Sequence, residues 1–214
     1  MASERNDEAG GGETAGSPDR PGHMGLPEPR HDPAVARLVT ALRRVQDRVI
    51  GTAAPTGTMA AAAELLERAA AELDPFRMTG TEPPTWGDLR RTSGTRALAP
   101  PLFDLQCSAH QLDARVTFGA FHVGGNGAAH GGTIPLLFDE VLGRLANVGR
   151  PMSRTANLSV DYRRVTPIGR ELRVHARVEK EEGRKRFLYG TLLDGEQVTA
   201  EVHALFIALR PGQA

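Results

Sequence analysis

The sequence predicts an α+β fold in which one apolar helix lies against a run of antiparallel strands. Three observations predict it. Residues 134–148 are apolar at most positions, the pattern of a helix enclosed by other structure. The segments that follow alternate apolar and polar residues with the period of half-buried strands. Those segments are joined by short turns, Glu182-Gly183 and Asp194-Gly195, rather than by the helical crossovers of a parallel sheet.

The elements follow in order. Residues 1–32 are rich in Gly, Pro, Asp, Glu and Arg, with Leu26 the only large aliphatic residue apart from two methionines, and are expected to form a disordered tail. This segment lacks the apolar stretch of a secretory signal, and its acidic residues do not suit an organelle transit peptide. Asp32-Pro33 reads as a cap and first helical residue. Val35, Leu38, Val39, Leu42, Val45 and Val49 then recur at helical spacing, predicting a helix over 33–50. A second helix is expected from a cap at Thr58 through Leu73, closed by Asp74-Pro75, so that 33–76 forms a helical hairpin packed on a domain or a partner. Residues 77–101 have no period and read as a linker or strap, with Trp86 able to cover an apolar pocket. The domain proper is expected over 102–210. Strands are predicted at 113–122, where Val116, Phe118 and Ala120 alternate, and then at 155–165, 171–180, 185–193 and 197–209. The glycine-rich loop 124–127 and the apolar helix to Asn147 lie between the first two.

Composition narrows the function. Twenty-six basic residues balance 26 acidic ones, and aromatic residues are few, which does not fit a nucleic-acid binder. Cys107 is the only cysteine, which excludes an intrachain disulfide and a cysteine-rich zinc site and fits a reducing cytoplasm; it is expected to be a buried or half-buried thiol. No run approaches the ~18–20 apolar residues of a membrane span. The histidines show no metal-ligand spacing, and Gly125-Asn126-Gly127 lacks the third glycine of a dinucleotide fingerprint, so neither metal nor nicotinamide is expected.

The chemistry concentrates on His130-Gly131-Gly132 and Asp139. A helix N-terminus offers unpaired amides and positive dipole density to a developing oxyanion, and Gly131 and Gly132 are its natural donors. A carboxylate on a buried helix costs free energy unless it is used or satisfied. Asp139 is therefore a candidate base or nucleophile for acyl transfer, hydrolysis above all. The plain structural alternative is an aspartate satisfied by backbone donors or by a partner-chain arginine. His130 can act as a base or polarise a carbonyl, but more commonly a histidine there fixes loop geometry. Eight residues of helix, roughly 12 Å of rise, separate Gly131 from Asp139. One reacting carbonyl needs both within about 3 Å, so the spacing points to a site composed from two chains around a twofold axis.

At these residues the sequence resembles the PaaI-like hotdog-fold thioesterases, and within them the subgroup that contains mammalian thioesterase superfamily member four. The resemblance rests on His-Gly-Gly with an acidic residue nine positions after the histidine, on residues 155–164 (TANLSVDYRR) with Pro167, on Glu182-Gly183-Arg184-Lys185, and on the ending Ala204-Leu205-Phe206-Ile207. It covers about residues 102–210. It implies an antiparallel sheet curled around the central helix, a homodimer or dimer of dimers, and cofactor-independent hydrolysis of acyl-coenzyme A. It also implies Asp139 as base or nucleophile, Gly131 as oxyanion donor and Thr155 as a hydroxyl that positions water. Gly132 and Asn126 border that site. Arg163, Arg164, Arg184 and Lys185 are candidates for the coenzyme's phosphates, and Leu136, Leu137 and residues 98–102 for an acyl channel. In two respects this chain departs from the pattern. Some relatives carry asparagine where this chain has Gly124. Strict alternation places Thr155 opposite Leu158, so its role requires that its face, or a bulge, reach the substrate. Two other readings are a non-catalytic hotdog module that binds acyl-CoA or a protein partner, and a dehydratase resting on His130.

Overall fold

A computed structural model describes residues 33–76 and 99–213. The expected tail 1–32, the Asp32 cap, most of the strap, Trp86 and Leu98 lie outside the described residues. Helices α1 (Pro33–Gly51) and α2 (Thr56–Leu73) come first, the second running into a single 3-10 turn at Asp74–Phe76. Thr58 is not the cap. The Pro55 carbonyl accepts the amides of Thr58 (2.9 Å) and Met59 (3.1 Å), so the cap is Pro55 and the helix opens three residues earlier. α1 has a half-buried side that includes Val35, Val39, Arg43 and Asp47, whereas every residue of α2 is exposed.

The domain holds β1 (Leu102–Cys107), β2 (Gln111–Thr117), α3 (Thr133–Asn147), β3 (Ser153–Tyr162), β4 (Glu171–Glu182), β5 (Lys185–Asp194) and β6 (Gln197–Ala208). Among the described residues these make one six-stranded antiparallel sheet in the order β1-β2-β4-β5-β6-β3. The two predicted hairpins close with loops of two residues, each opened by a glycine in the left-handed region, Gly183 (φ 57°) and Gly195 (φ 59°). β1 is a strand that alternation does not disclose, because it is bulged between Phe103 and Gln106 and Asp104 sits at φ 49°. The strand predicted at 113–122 ends sooner than expected. It stops at Thr117, and Ala120 belongs to a 3-10 turn, Ala120–His122.

One face of the sheet packs on α3. Ile134, Leu137, Phe138, Val141, Leu142 and Leu145 recur at spacings of three and four and are all buried, against Leu112, Val116, Val174, Leu192 and Val202 of the strands. Phe138 sits where a side chain at position 190 would be. A Cβ on Gly190 would lie 2.6 Å from its ring, so this glycine sets how closely the helix approaches β5. The far end of α3 is pinned by Arg186, only 4% exposed, which donates to the carbonyls of Ala146 (2.6 Å) and Pro151 (2.9 Å). Asn147 Oδ1 accepts the Ser153 amide (2.8 Å) and hydroxyl (2.9 Å), tying the helix end to the start of β3. No helix among the described residues is long and apolar enough to cross a membrane.

Candidate active site

The loop into α3 is built from backbone contacts. Gly124 donates to the Ala128 carbonyl (2.7 Å), Ala129 to Thr166 (2.8 Å) and His130 to His122 (2.8 Å). A Cβ at Gly124 would lie 2.8 Å from His130 Cα. The asparagine that some relatives carry there has no room in this chain. Asn126, two residues on, sits exposed at φ 56° within the 3-10 turn Gly125–Gly127.

The two glycine amides differ. Gly132 N–H donates to His130 Nδ1 (3.0 Å), and the His130 carbonyl accepts both the amide (2.9 Å) and the hydroxyl (2.7 Å) of Thr133. A neutral His130 ring therefore carries its proton on Nε2. Its Nδ1 is occupied in holding the turn, which leaves the dehydratase reading without a base at that atom. The Gly131 amide, at an exposed position, donates to none of the described residues. Its carbonyl is held by Tyr162, whose hydroxyl donates to it at 2.7 Å. Sequence reasoning gave Tyr162 no role, although its alternation with Leu158 and Val160 placed it on the face that turns out to meet α3.

Asp139 is half-buried on α3, and Thr155 Oγ1 donates to its Oδ1 at 2.7 Å. The sheet register explains this contact. Thr155 pairs with Phe206 and Asn157 with Leu205, so Ala156 is an extra residue. This bulge reverses the alternation, and Ser153 and Thr155 join Leu158, Val160 and Tyr162 opposite the buried Ala208, Phe206, Ala204, Val202 and Ala200. A strictly alternating strand would turn Thr155 away from the helix.

The candidate cations divide between two ends of the sheet. Arg163 and Arg164 follow Tyr162, at the end where α3 begins, and both amides donate to the Thr199 carbonyl. Arg163 is held by Glu201 (Nη2–Oε2 2.7 Å), and that hydrogen bond raises its pKa further. Arg184 and Lys185 lie at the opposite end, where Arg184 donates to the Ala208 carbonyl (2.9 Å) and Lys185 pairs with Ile207. One chain therefore does not gather all four. Leu137 is wholly buried in the core, while Leu136, one residue earlier, is half-buried. Cys107 is exposed rather than buried, because the end of β1 lies at the sheet edge. Desolvation raises its thiol pKa and Arg144 opposes that rise, so at neutral pH it remains the poorly nucleophilic thiol.

A glycine-opened helix that carries a carboxylate and is wrapped by an antiparallel sheet is the hotdog fold. Residues 126–201 match the family described as Thioesterase superfamily. A Pseudomonas aeruginosa protein, PA0474, classed provisionally as an esterase, is 33% identical over 122 residues, which span 55% of this chain and 90% of that one. Mouse acyl-coenzyme A thioesterase THEM4 is 34% identical over 96 residues, 44% of this chain and 41% of its own. The match thus spans about two-fifths of that longer protein. The crystal structure of RHA08564, a thioesterase superfamily protein, superposes with a TM-score of 0.68 at 29% identity, covering 81% of this chain and 90% of that one. The chain belongs to the thioesterase superfamily, as the PaaI-like resemblance implied.

Proposed function

We propose that this protein hydrolyses acyl-coenzyme A thioesters, with Asp139 as general base. The observation that carries the reading is the Thr155 hydroxyl on Asp139 Oδ1. It leaves Oδ2 to take a proton from water, and the Thr155 oxygen keeps lone pairs with which to hold that water. The water oxygen attacks the thioester carbon as its proton passes to Asp139. The carbonyl oxygen becomes an oxyanion on the Gly131 amide, and the intermediate then collapses. The carbon–sulfur bond breaks and the departing thiolate takes the proton back from Asp139.

Gly131 and Asp139, roughly 12 Å apart along α3, serve one carbonyl if each comes from a different chain. Support for a homodimer comes from β3, a ten-residue strand at the sheet edge with only Ser153 buried. Antiparallel pairing of two such edges brings the Asp139 of one chain toward the Gly131 of the other. It also carries the partner subunit's Arg184 and Lys185 toward the end that holds Arg163 and Arg164, where the coenzyme's phosphates would meet cations from both chains. With its lone cysteine unpaired, we place the enzyme in the reducing cytoplasm.

The test is thiol release from acyl-CoAs of graded chain length, with Asp139→Asn run alongside. The substitution is expected to abolish turnover while leaving the fold intact. Single turnover in ¹⁸O-water is expected to leave no label in the protein. Sedimentation should give about twice the 22.9 kDa chain mass, and a fully active monomer would sink the composite site. The exposed Leu65, Leu66, Leu73 and Phe76 around α2 favour a second reading, a docking module without turnover. That reading takes first place if no thioester is cleaved.

A further inference from the structure

Among the described residues, helix α1 meets the other elements chiefly at the turn Ala120–His122. Asp47 makes the hydrogen bond of that contact. Its Oδ1 accepts the Phe121 amide at 2.9 Å. The carboxylate also fills the space beside Gly119, where a Cβ would lie 2.5 Å from Oδ1 and 2.8 Å from Oδ2. Gly119 has extended backbone (φ −80°, ψ −176°), which any residue adopts. Glycine is needed there for room, not for conformation.

From this turn the hydrogen bonds lead directly to the start of α3. The carbonyl of His122, next to Phe121, accepts the His130 amide at 2.8 Å, and His130 Nδ1 accepts the Gly132 amide at 3.0 Å. A carboxylate on α1 is thus joined to the paired glycines through two loop segments, each link no longer than an ordinary hydrogen bond. Charged groups on a surface helix ordinarily face water and leave backbone amides alone. Here the carboxylate supplies the acceptor for an amide of the turn that supports His130.

We propose that Asp47 is a positioning residue for the Gly131 amide, and that α1 is thereby part of the frame of the active site. An oxyanion donor works only when its N–H is fixed within a few tenths of an ångström of the oxygen it will meet. Asp47 fixes the turn, the turn fixes His130, and His130 fixes the conformation in which the Gly131 amide points outward. The kinetic consequence rests on the thioesterase reading above, whereas the structural coupling does not.

The experiment compares Asp47→Ala, Asp47→Asn and Gly119→Ala in the full chain, reading amide hydrogen exchange and steady-state kinetics together. Asp47→Ala removes the acceptor, Gly119→Ala expels it, and Asp47→Asn keeps an oxygen that can still accept. The two alanine variants are expected to speed exchange at Phe121, His130 and Gly132 about tenfold or more, with β4, β5 and β6 still protected. On the cleaved acyl-CoA, kcat is expected to fall about tenfold with KM nearly unchanged, and Asp47→Asn to restore most of both. Faster exchange confined to Phe121 overturns the proposal, as does a uniform loss of protection across the sheet. If no thioester is cleaved by the unmodified chain, exchange alone decides, so the two readings fail separately.

Discussion

Thr155 Oγ1 lies 2.7 Å from Asp139 Oδ1, and it does so because Ala156 is an extra residue in β3. Thr155→Val keeps the shape of the side chain and removes the donor, leaving a half-buried carboxylate with one partner fewer. It is expected to lower kcat about 10–100-fold, while Thr155→Ser retains most activity. Thiol release by both variants checks this. A larger loss in Thr155→Ser than in Thr155→Val would mean that the methyl group, and not the hydroxyl, carries the effect.

Tyr162 fixes the carbonyl on the far side of Gly131 from the proposed oxyanion donor. Tyr162→Phe is expected to cost about 1 kcal/mol or less in stability, because the ring is 53% exposed, and to lower kcat several-fold. Thermal unfolding and kinetics measured on the same preparation separate the two effects. A large fall in melting temperature with unchanged kcat would assign Tyr162 to the fold alone.

Gly124 gives an unusual test, since the substitution that looks most conservative by family pattern is the one the backbone rejects. Gly124→Asn places a Cβ 2.8 Å from His130 Cα. Displacing His130 is expected to cost about 1–3 kcal/mol in denaturant unfolding and to reduce turnover. Unimpaired stability and rate would show that the loop has room to relax.

Glu181 tests the opposite end of the molecule through pH. Hydrogen bonds from Arg150 (2.6 Å and 3.0 Å) hold its carboxyl below the usual glutamate range, with desolvation acting against them. A carboxyl depressed in the folded state adds stability above its unfolded value of about 4.3, and that stability is lost as pH falls through the folded value. Glu181→Gln is therefore expected to lower the melting temperature by about 1–3 °C at pH 7, a small effect because the side chain is 43% exposed. The two proteins should converge as the pH falls from 7 to below the folded value. A constant offset across that range would mean that the charge is irrelevant.

The sequence made α3 and the strands from β3 onward legible because their side chains keep a fixed period against a fixed neighbour. Where the period breaks, the reading breaks with it. β1 hides behind the bulge at Asp104, and the phase of Thr155 depends on Ala156, which looks like any small strand residue. Ala120 continues the alternation of Val116 and Phe118, yet α1 docks beside it and the chain turns. Long-range partners were hidden for a related reason. Nothing near Asp47 in sequence announces Phe121, and the numbering of Arg163 and Arg184 does not say that they lie at opposite ends of a sheet. The residues of the His-Gly-Gly helix are legible because a glycine pair, and carboxylates inside an apolar run, are rare enough to need a reason. Tyr162 carries no such signal, because a tyrosine in a strand needs no special reason.

The two edges of the sheet are unequal. Among the described residues β3 offers ten residues of open backbone, while β1 is six residues long, bulged, and set with Asp104 in the left-handed region beside Arg115 at 3.4 Å. A unit that polymerises by strand addition must accept a neighbour on both sides. This one has a single receptive side, so joining two copies consumes it and leaves only the blunted margin exposed. Such a sheet can close into a pair without any tendency to extend into a fibril.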